Sequence, residues 1–294
     1  MSLPRWLVGI FAALGVIFVI ALLASLLFGG RGWLGGGRVA VLPVHGVIDG
    51  DDEFREELRR FRDDATVKAV VVDIDSPGGA VAPSQSMYQE LRKLRDEGVP
   101  VVASIGSVGA SGGYYVALAA DTILALPGSI TGSIGVIMEF PNAGELLDRV
   151  GLEMQTVKSS AHKDIGSPFR DLDPAERELL QAMVSDVYEQ FVGTVEAERK
   201  LPAARVRELA DGRLLSGRQA VAARLIDRTG NLPDAVALAG RMAGLGDDPE
   251  VLRPPEEGRS LLDLVFGTAA DAVSRRIDAR VADLRAPRVL FQLH

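Results

Sequence analysis

The longest apolar run of the chain lies near its amino terminus and extends from Leu7 to Phe28 without a charged residue. As a helix its 22 residues would span about 33 Å, which matches the hydrocarbon core of a bilayer. A cleaved signal peptide usually has a shorter apolar region, of about 7–15 residues, followed by small residues at the cleavage site. Here the run ends in Leu26, Leu27 and Phe28. The pattern favours a retained transmembrane anchor with a glycine-rich tether, which together form a segment over residues 1–37.

From residue 38 onward, short apolar runs alternate with amphipathic segments. Continuous apolar runs bounded by turns are typical of parallel strands that are buried on both faces. The pattern predicts an α/β domain over residues 38–245. Its longest helix should begin with Asp173 as N-cap and Pro174 at the first helical position. The predicted strands are 39–47, 69–74, 99–105, 122–125, 134–138 and 154–157, and the predicted helices are 53–61, 84–97, 111–119, 174–200, 203–209, 218–223 and 233–242.

A third segment, residues 246–294, begins with the chain breakers Pro254, Pro255 and Gly258. Residues 261–284 then place apolar side chains at helical spacing between arginine and aspartate residues. An amphipathic helix of this kind could bind a partner or a membrane surface. It could equally pack on its own domain, and the pattern leaves both interpretations open.

Composition excludes several classes of function. The formal net charge is −8 and the pI is about 5.1, without a basic patch, so nucleic acid is not expected as a partner. Cysteine is absent, which excludes disulfides, thiolate catalysis and Cys-ligated zinc. His45, His162 and His294 do not occur at metal-ligand spacing, so no metal is expected. Five of the 32 basic residues are lysines, and lysine, unlike arginine, can lose its proton in a protein.

Two glycine-rich segments carry candidate chemistry. Residues 76–79, S-P-G-G, follow a predicted buried strand. Glycine lets the backbone bend so that an N–H can point into a cleft and stabilise an oxyanion, although the same string is also a common turn. Ser111 opens a predicted helix, where free N–H groups such as that of Gly112 favour negative charge. Ser111 is therefore either a nucleophile or the N-cap of the helix.

A polar loop over residues 158–164 contains Lys158 and Lys163. A lysine that acts as a general base must be neutral, so it needs burial or nearby positive charge to lower its pKa. The residues around Ser111 also spell G-x-S-x-G, the pattern of α/β-hydrolases. That fold places the serine at the end of a strand, whereas Ser111 lies six residues beyond the predicted strand end at Ile105. We therefore reject the α/β-hydrolase fold.

Several motifs occur together in one order. They are S-P-G-G at 76–79, A-S-G-G-Y-Y at 110–115, A-A-D at 119–121, T-G-S-I-G-V at 131–136 and S-A-H-K-D-I at 160–165, followed by L-S-G-R-Q-A at 215–220 and L-I-D at 225–227. Residues 38–240 thereby resemble the short, single-domain form of the signal peptide peptidase A (SppA) family, peptidase family S49 in the ClpP/crotonase superfamily. The resemblance implies a ClpP/crotonase-like spiral of ββα units behind one transmembrane helix. One departure is Asp75, where asparagine is more usual.

The resemblance implies a serine peptidase with a Ser–Lys dyad. Ser111 is then the nucleophile, and Lys163, 52 residues downstream, is the general base. Gly79 and Gly112 supply the N–H groups of an oxyanion hole, and Ser133 hydrogen-bonds the lysine amine and orients it. Such a dyad needs no metal or cofactor.

Members of this family are similar in forming oligomeric rings or domes on the outer face of the bacterial cytoplasmic membrane, where they cut hydrophobic remnant signal peptides. The resemblance therefore implies a single-pass membrane protein and homo-oligomer, with its catalytic domain on the extracytoplasmic side and hydrophobic peptides as substrates. Charge does not fix this orientation, because Arg5 precedes the apolar run while Arg31 and Arg38 follow it.

Two other functions stay open at this point. A catalytically silent membrane scaffold would bind peptides without cutting them, and the presence of both Ser111 and Lys163 argues against it. A crotonase-type acyl-CoA hydratase or isomerase would share the fold but would use Glu or Asp as acid/base, without a membrane anchor. For the apolar chain end at residues 289–292, we predict that it occupies the peptide groove as a self-substrate or inhibitor.

Overall fold

The computed structural model describes residues 36–254 and 290–292, which form a mixed α/β fold. The strands are β1 (Arg38–Ile48), β2 (Val67–Ala80), β3 (Val101–Ala110), β4 (Thr122–Ala125), β5 (Ile130–Gly132), β6 (Leu214–Ser216), β7 (Arg228–Thr229), β8 (Glu250–Leu252) and β9 (Leu290–Gln292). The helices are α1 (Asp52–Asp63), α2 (Val81–Asp96), α3 (Gly112–Ala117), α4 (Gly144–Arg149), α5 (Pro174–Arg199), α6 (Ala203–Leu209), α7 (Gly217–Ala222) and α8 (Leu232–Met242).

All of these strands belong to one sheet whose central strands are parallel. Its main path runs β8–β1–β2–β3–β5–β6, while β4 pairs with β3, β7 with β4 and β9 with β2. The pairs β5–β6 and β2–β9 are antiparallel. A parallel strand inside a sheet is covered on both faces and so needs apolar residues at consecutive positions. Residues 69–72 of β2 meet this requirement, since all four are buried.

Helices cover both faces of the sheet. Because successive strand residues point to opposite faces, β2 contributes Val72 to one core and Val71 to the other. The larger core contains Val72 together with residues of α1, α2, α3 and α5. In the smaller core, Val71 packs with Ala235 and Ala239 of α8. The larger core is the one that supports α3, the helix next to Ser111.

The short helix α3 is fixed by the hydroxyl groups of its two tyrosines. Tyr114 Oη donates to the carbonyl oxygen of Leu225 at 2.7 Å, and Tyr115 Oη lies 3.0 Å from Thr194 Oγ1 in α5. Tyr114 is fully buried, and this burial raises the pKa of its phenol. A helix of six residues has little stability of its own, so tertiary contacts of this kind hold α3 in place.

The longest helix, α5, begins as the sequence predicts. Asp173 Oδ1 accepts the N–H of Glu176 at 2.8 Å, and the Glu176 carboxylate accepts the N–H of Asp173 at 3.3 Å, so the two residues form a capping box. Pro174 occupies the first helical position. Towards the other end, Glu198 accepts a hydrogen bond from Arg95 of α2 at 2.9 Å. The helix thus connects the loop that contains Lys163 with the helices of the larger core.

Two of the predicted strands are wrong. Residues 134–138 do not form a strand element, since β5 lies before them at 130–132. Residues 154–157 lie in an irregular loop, where Met154 is half-exposed and Val157 is fully exposed. Their apolar residues suggested a buried strand, but within one chain they do not join the sheet. Periodicity shows that a segment has an apolar face without showing what covers that face.

The predicted transmembrane anchor and the predicted amphipathic helix at 261–284 lie outside the described residues. Among the helices that the structure does describe, none is long and apolar enough to span a bilayer.

Candidate active site

Ser111 lies at the junction between β3 and α3, in an unusual backbone conformation. Its φ is 52° and its ψ is −114°. A positive φ costs energy for a residue that has a side chain, and such residues cluster at functional sites. The N–H of Ser111 donates to the carbonyl oxygen of Gly132 at 2.8 Å, and only 1% of the residue is exposed. The turn from strand to helix therefore holds a strained and buried serine.

The hydroxyl of Ser111 has no hydrogen-bond partner within the described part of the chain. It does not cap α3, because no N–H of that helix donates to it. Buried hydroxyl groups normally have partners, so an unpaired one calls for an explanation such as a catalytic role. The structure gives no support to the N-cap interpretation of Ser111.

The end of β2 and the start of α3 approach each other so closely that glycine is required. A Cβ atom on Gly112 would lie 3.2 Å from the backbone nitrogen of Gly79 and 2.6 Å from Ser84 Oγ. Alanine has the higher helix propensity, so this glycine serves the close approach and not the helix. The contact brings the two predicted oxyanion donors, Gly79 and Gly112, together beside Ser111.

Ser133 lies on the turn after β5 and is connected to Ser111 through the backbone. It follows Gly132, whose carbonyl oxygen accepts the N–H of Ser111. Its own N–H donates to the carbonyl oxygen of Arg213 at 2.8 Å. Ser133 also borders a cavity of about 620 Å³. Apolar residues supply much of the cavity wall, among them Ile134, Val136, Val184, Tyr188 and Leu214.

Lys163 makes no hydrogen bond to Ser111 within one chain. Its side chain is exposed and lies in an irregular loop between α4 and α5. The Ser111 hydroxyl has no partner among the described residues, so no hydrogen bond joins the two side chains. The structure thus connects Ser111, Gly79, Gly112 and Ser133 with one another, but it does not pair the predicted base with Ser111.

Lys163 belongs to residues 139–173, which we call the arm, and none of these residues is buried. Six large apolar side chains of the arm are exposed, namely Leu146, Val150, Leu152, Met154, Val157 and Phe169. An exposed apolar surface of this kind usually marks a contact with another molecule or a membrane.

A network of charged side chains, which the sequence did not reveal, includes Asp164, the residue that follows Lys163. Asp164 Oδ1 lies 2.6 Å from Lys158 Nζ, and Asp164 Oδ2 accepts from Arg170 Nε at 3.0 Å. Arg170 also makes two hydrogen bonds, of 2.6 and 2.7 Å, to the carboxylate of Glu176, which is 1% exposed. The four members of the network lie within 19 positions of the sequence, but their pairing depends on the fold of the loop.

The cations of the network hold its carboxylates in the charged form. Arg170, followed by Lys158, keeps the pKa of Asp164 well below its usual range. Arg170 likewise lowers the pKa of Glu176. A carboxylate with a lowered folded-state pKa stabilises the fold above its ordinary pKa, about 4, and this contribution is lost as the pH falls through the folded-state value. The network is therefore intact at neutral pH.

Asp75, the departure from the family pattern, has a structural partner. Its Oδ1 accepts the N–H of Val108 at 3.0 Å, which connects β2 to the end of β3 that leads to Ser111. The amide oxygen of an asparagine could accept the same hydrogen bond. In the described ranges, no group of three His, Cys, Asp or Glu side chains is placed to hold a metal ion.

The strand β9, near the end of the chain, lies along β2, the strand that contains the predicted oxyanion donor Gly79. It pairs with β2 in antiparallel orientation, with Gly78 opposite Gln292, Gly79 opposite Phe291 and Ala80 opposite Leu290. An extended peptide that adds a strand to a sheet is recognised through its backbone, which is a common mode of peptide binding. The chain end therefore pairs with the segment that contains Gly79, while its role as a self-substrate or inhibitor in a peptide groove stays a prediction.

Comparison with known proteins identifies the family. A model of peptidase family S49 matches residues 93–246. This chain belongs to peptidase family S49. The Synechocystis sp. protein slr0021, a candidate protease, is 45% identical over 78% of this chain and 83% of its own length. An Enterococcus faecium protein named as a candidate signal peptide peptidase SppA is 34% identical, and the match covers 68% of this chain and 62% of that protein.

The family assignment extends to more distant relatives. A chloroplastic serine protease SPPA of Arabidopsis thaliana is 32% identical over 76% of this chain, although the match covers only 33% of that longer protein. The chain is accordingly a serine peptidase of the SppA family. An acyl-CoA hydratase or isomerase is not supported by any of these relatives.

Proposed function

We propose that this chain is a membrane-anchored endopeptidase that uses a Ser111–Lys163 dyad to cut hydrophobic peptides such as remnant signal peptides. The observation that carries the proposal is the buried, strained Ser111, whose hydroxyl is unpaired and whose neighbour Gly112 lies against the backbone of Gly79. A free hydroxyl next to two candidate oxyanion donors is the arrangement that acyl transfer requires.

The proposed reaction follows from these groups. Ser111 Oγ attacks the carbonyl carbon of the scissile bond while its proton passes to the neutral amine of Lys163. The N–H groups of Gly79 and Gly112 stabilise the oxyanion. The proton then passes to the leaving amine, the C–N bond breaks, and an acyl-enzyme remains. A water molecule, deprotonated by Lys163, hydrolyses the acyl-enzyme and regenerates Ser111.

We further propose that the dyad forms between two copies of the chain. In one copy, Lys163 is exposed and does not bond to Ser111. None of the described residues covers the apolar side chains of the arm, and a second copy of the same domain would bury them. Such burial would also remove the lysine from water, which favours the neutral amine that a general base needs.

The proposed substrate class rests on three observations. The apolar run from Leu7 to Phe28 is long enough to hold the domain at a bilayer, which we propose is the bacterial cytoplasmic membrane, with the peptidase on its outer side. The last residues of β2, 78–80, pair with the extended segment β9. The cavity beside Ser133 has space for apolar side chains of a bound peptide. A hydrophobic peptide that remains near the membrane would be a substrate consistent with all three observations.

The proposed function is tested by the hydrolysis of a fluorogenic hydrophobic peptide by the purified full-length protein in detergent. We expect cleavage of this peptide, little cleavage of a charged peptide of equal length, and none by Ser111→Ala. A folded wild-type protein that binds the peptide without cutting it would instead support the scaffold function. Equal cleavage of both peptides would remove the proposed preference for hydrophobic substrates.

Deletion of residues 286–294 is expected to raise kcat/KM several-fold, chiefly through a lower KM. The chain end pairs with β2 where a substrate would pair, and a tethered competitor acts at an effective concentration of about 1 mM. Phe291→Pro keeps the chain length but removes a backbone N–H from β9, so it should raise activity in the same direction. Unchanged activity in both variants would exclude the groove as the site of the chain end.

A further inference from the structure

The loop around Lys163 lacks both regular structure and buried residues. Residues 150–173 contain no helix or strand, and none of them is buried. A general base must nevertheless be held within about 0.5 Å of its productive position. Interactions other than buried packing have to order this loop, and the charge network connects it to the first turn of the long helix α5.

Arg170 is the centre of that connection. Its guanidinium group makes two hydrogen bonds to Glu176, in the first turn of α5, and a third through Nε to the side chain of Asp164. A further bond, 3.3 Å long, joins Arg170 to the carbonyl oxygen of Asp164. Arg170 therefore binds both the side chain and the backbone carbonyl oxygen of Asp164, the residue that follows Lys163. A planar guanidinium can fix such a geometry, whereas the ammonium group of a lysine cannot.

The buried end of the network makes the connection rigid. Glu176 is 1% exposed and also accepts the N–H of Asp173 in the capping box of α5. A buried carboxylate without a cation is strongly unfavourable, so Glu176 holds Arg170 at the start of the helix. Hydrogen bonds through Arg170 thereby connect the backbone next to Lys163 to α5, the longest helix that the structure describes.

The network also occupies Asp164. Lys158 bonds one oxygen of its carboxylate and Arg170 the other. An aspartate next to Lys163 with free oxygens would be a natural partner for its ammonium form, and such a pair would oppose a role as base. Because both oxygens are engaged by other cations, the amine of Lys163 stays free for Ser111.

We propose that Asp164, Arg170 and Glu176 are positioning residues that hold Lys163 in its catalytic position. The inference rests on the proposed role of Lys163 as general base. These residues do not touch the reacting atoms, and they act through the lysine alone.

The test compares Arg170→Gln with Arg207→Gln, both measured as full-length protein for kcat, KM, melting temperature and oligomer size. Arg207 of α6 makes a bidentate ion pair with Glu189 of α5 that is exposed and lies outside the arm, so it is a matched control. We expect Arg170→Gln to lower kcat roughly 10- to 100-fold with little change in KM, as for a misplaced catalytic group. Arg207→Gln should keep wild-type kcat, and Arg170→Lys should recover part of the loss.

A double variant separates positioning from a general loss of structure. In the background of Lys163→Ala, Arg170→Gln should lower the residual activity no further, because the lysine through which it acts is gone. An equal loss in both backgrounds would overturn the inference, and so would a wild-type kcat for Arg170→Gln. If Arg170→Gln does not fold, Asp164→Asn, which keeps the shape of the side chain, takes its place with the same expectations. A fully active Lys163→Ala would refute the proposed base itself and the inference with it.

Discussion

A one-to-one mixture of Ser111→Ala and Lys163→Ala, assembled from separated subunits, is expected to regain peptidase activity that neither variant has alone. Loss of the nucleophile should leave no turnover, and loss of the general base should cost roughly 10²–10⁴-fold. If each dyad takes Ser111 from one copy and Lys163 from its neighbour, random mixing leaves about a quarter of the sites intact. We therefore expect about a quarter of the wild-type activity per subunit, measured with a fluorogenic hydrophobic peptide.

The control for this mixture uses the double variant. Ser111→Ala mixed with Ser111→Ala/Lys163→Ala contains no intact serine, so it should stay silent after the same assembly step. Recovery in the first mixture with silence in the second would place the dyad across a subunit interface. Two silent mixtures, from subunits that are shown to exchange, would require the lysine to reach the serine of its own chain. That result would demand a large movement of the arm from the exposed position that it has here.

The contrast between the arm and the sheet explains what could be predicted from sequence. Residues 69–72 are apolar and buried by the chain itself, so the apolar run at 69–74 indicated a parallel strand correctly. Met154 and Val157 are equally apolar but exposed, and the same rule assigned them wrongly to a strand. Sequence patterns record that a surface is apolar, while the fold or an assembly decides what covers it.

The residues of the site likewise divide into those that the sequence could predict and those that it could not. Short motifs predicted Ser111, Gly79 and Gly112, because the roles proposed for them depend on local backbone geometry that glycine makes recognisable. The partners of Arg170 could not be derived, since a charged residue in a loop has many possible partners in sequence. Their arrangement depends on how the loop returns to the start of α5. Motifs thus predicted the groups expected to carry the chemistry, and only the structure revealed those that support them.

Gly112→Ala is expected to lower kcat by about 10²–10³-fold, the usual cost of losing one oxyanion donor. The new methyl group would lie 3.2 Å from the backbone nitrogen of Gly79 and 2.6 Å from Ser84 Oγ. Ser84 cannot easily move aside, because its hydroxyl donates to the carbonyl oxygen of Ala80 at 2.9 Å. The start of α3 must then shift away from β2, which separates the two N–H groups that should bind the oxyanion.

Gly193→Ala is the matched control, because a Cβ atom at that exposed position in α5 would meet nothing within 4 Å. It adds the same methyl group to a helix and should raise stability slightly without changing kcat. Both variants would be measured for kcat, KM and thermal unfolding. A folded Gly112→Ala enzyme with wild-type kcat would show that the N–H groups of Gly79 and Gly112 do not both donate to one oxyanion. A lowered kcat with an unchanged KM is the expected result, since the oxyanion exists only in the transition state and the donors should contribute little to substrate binding.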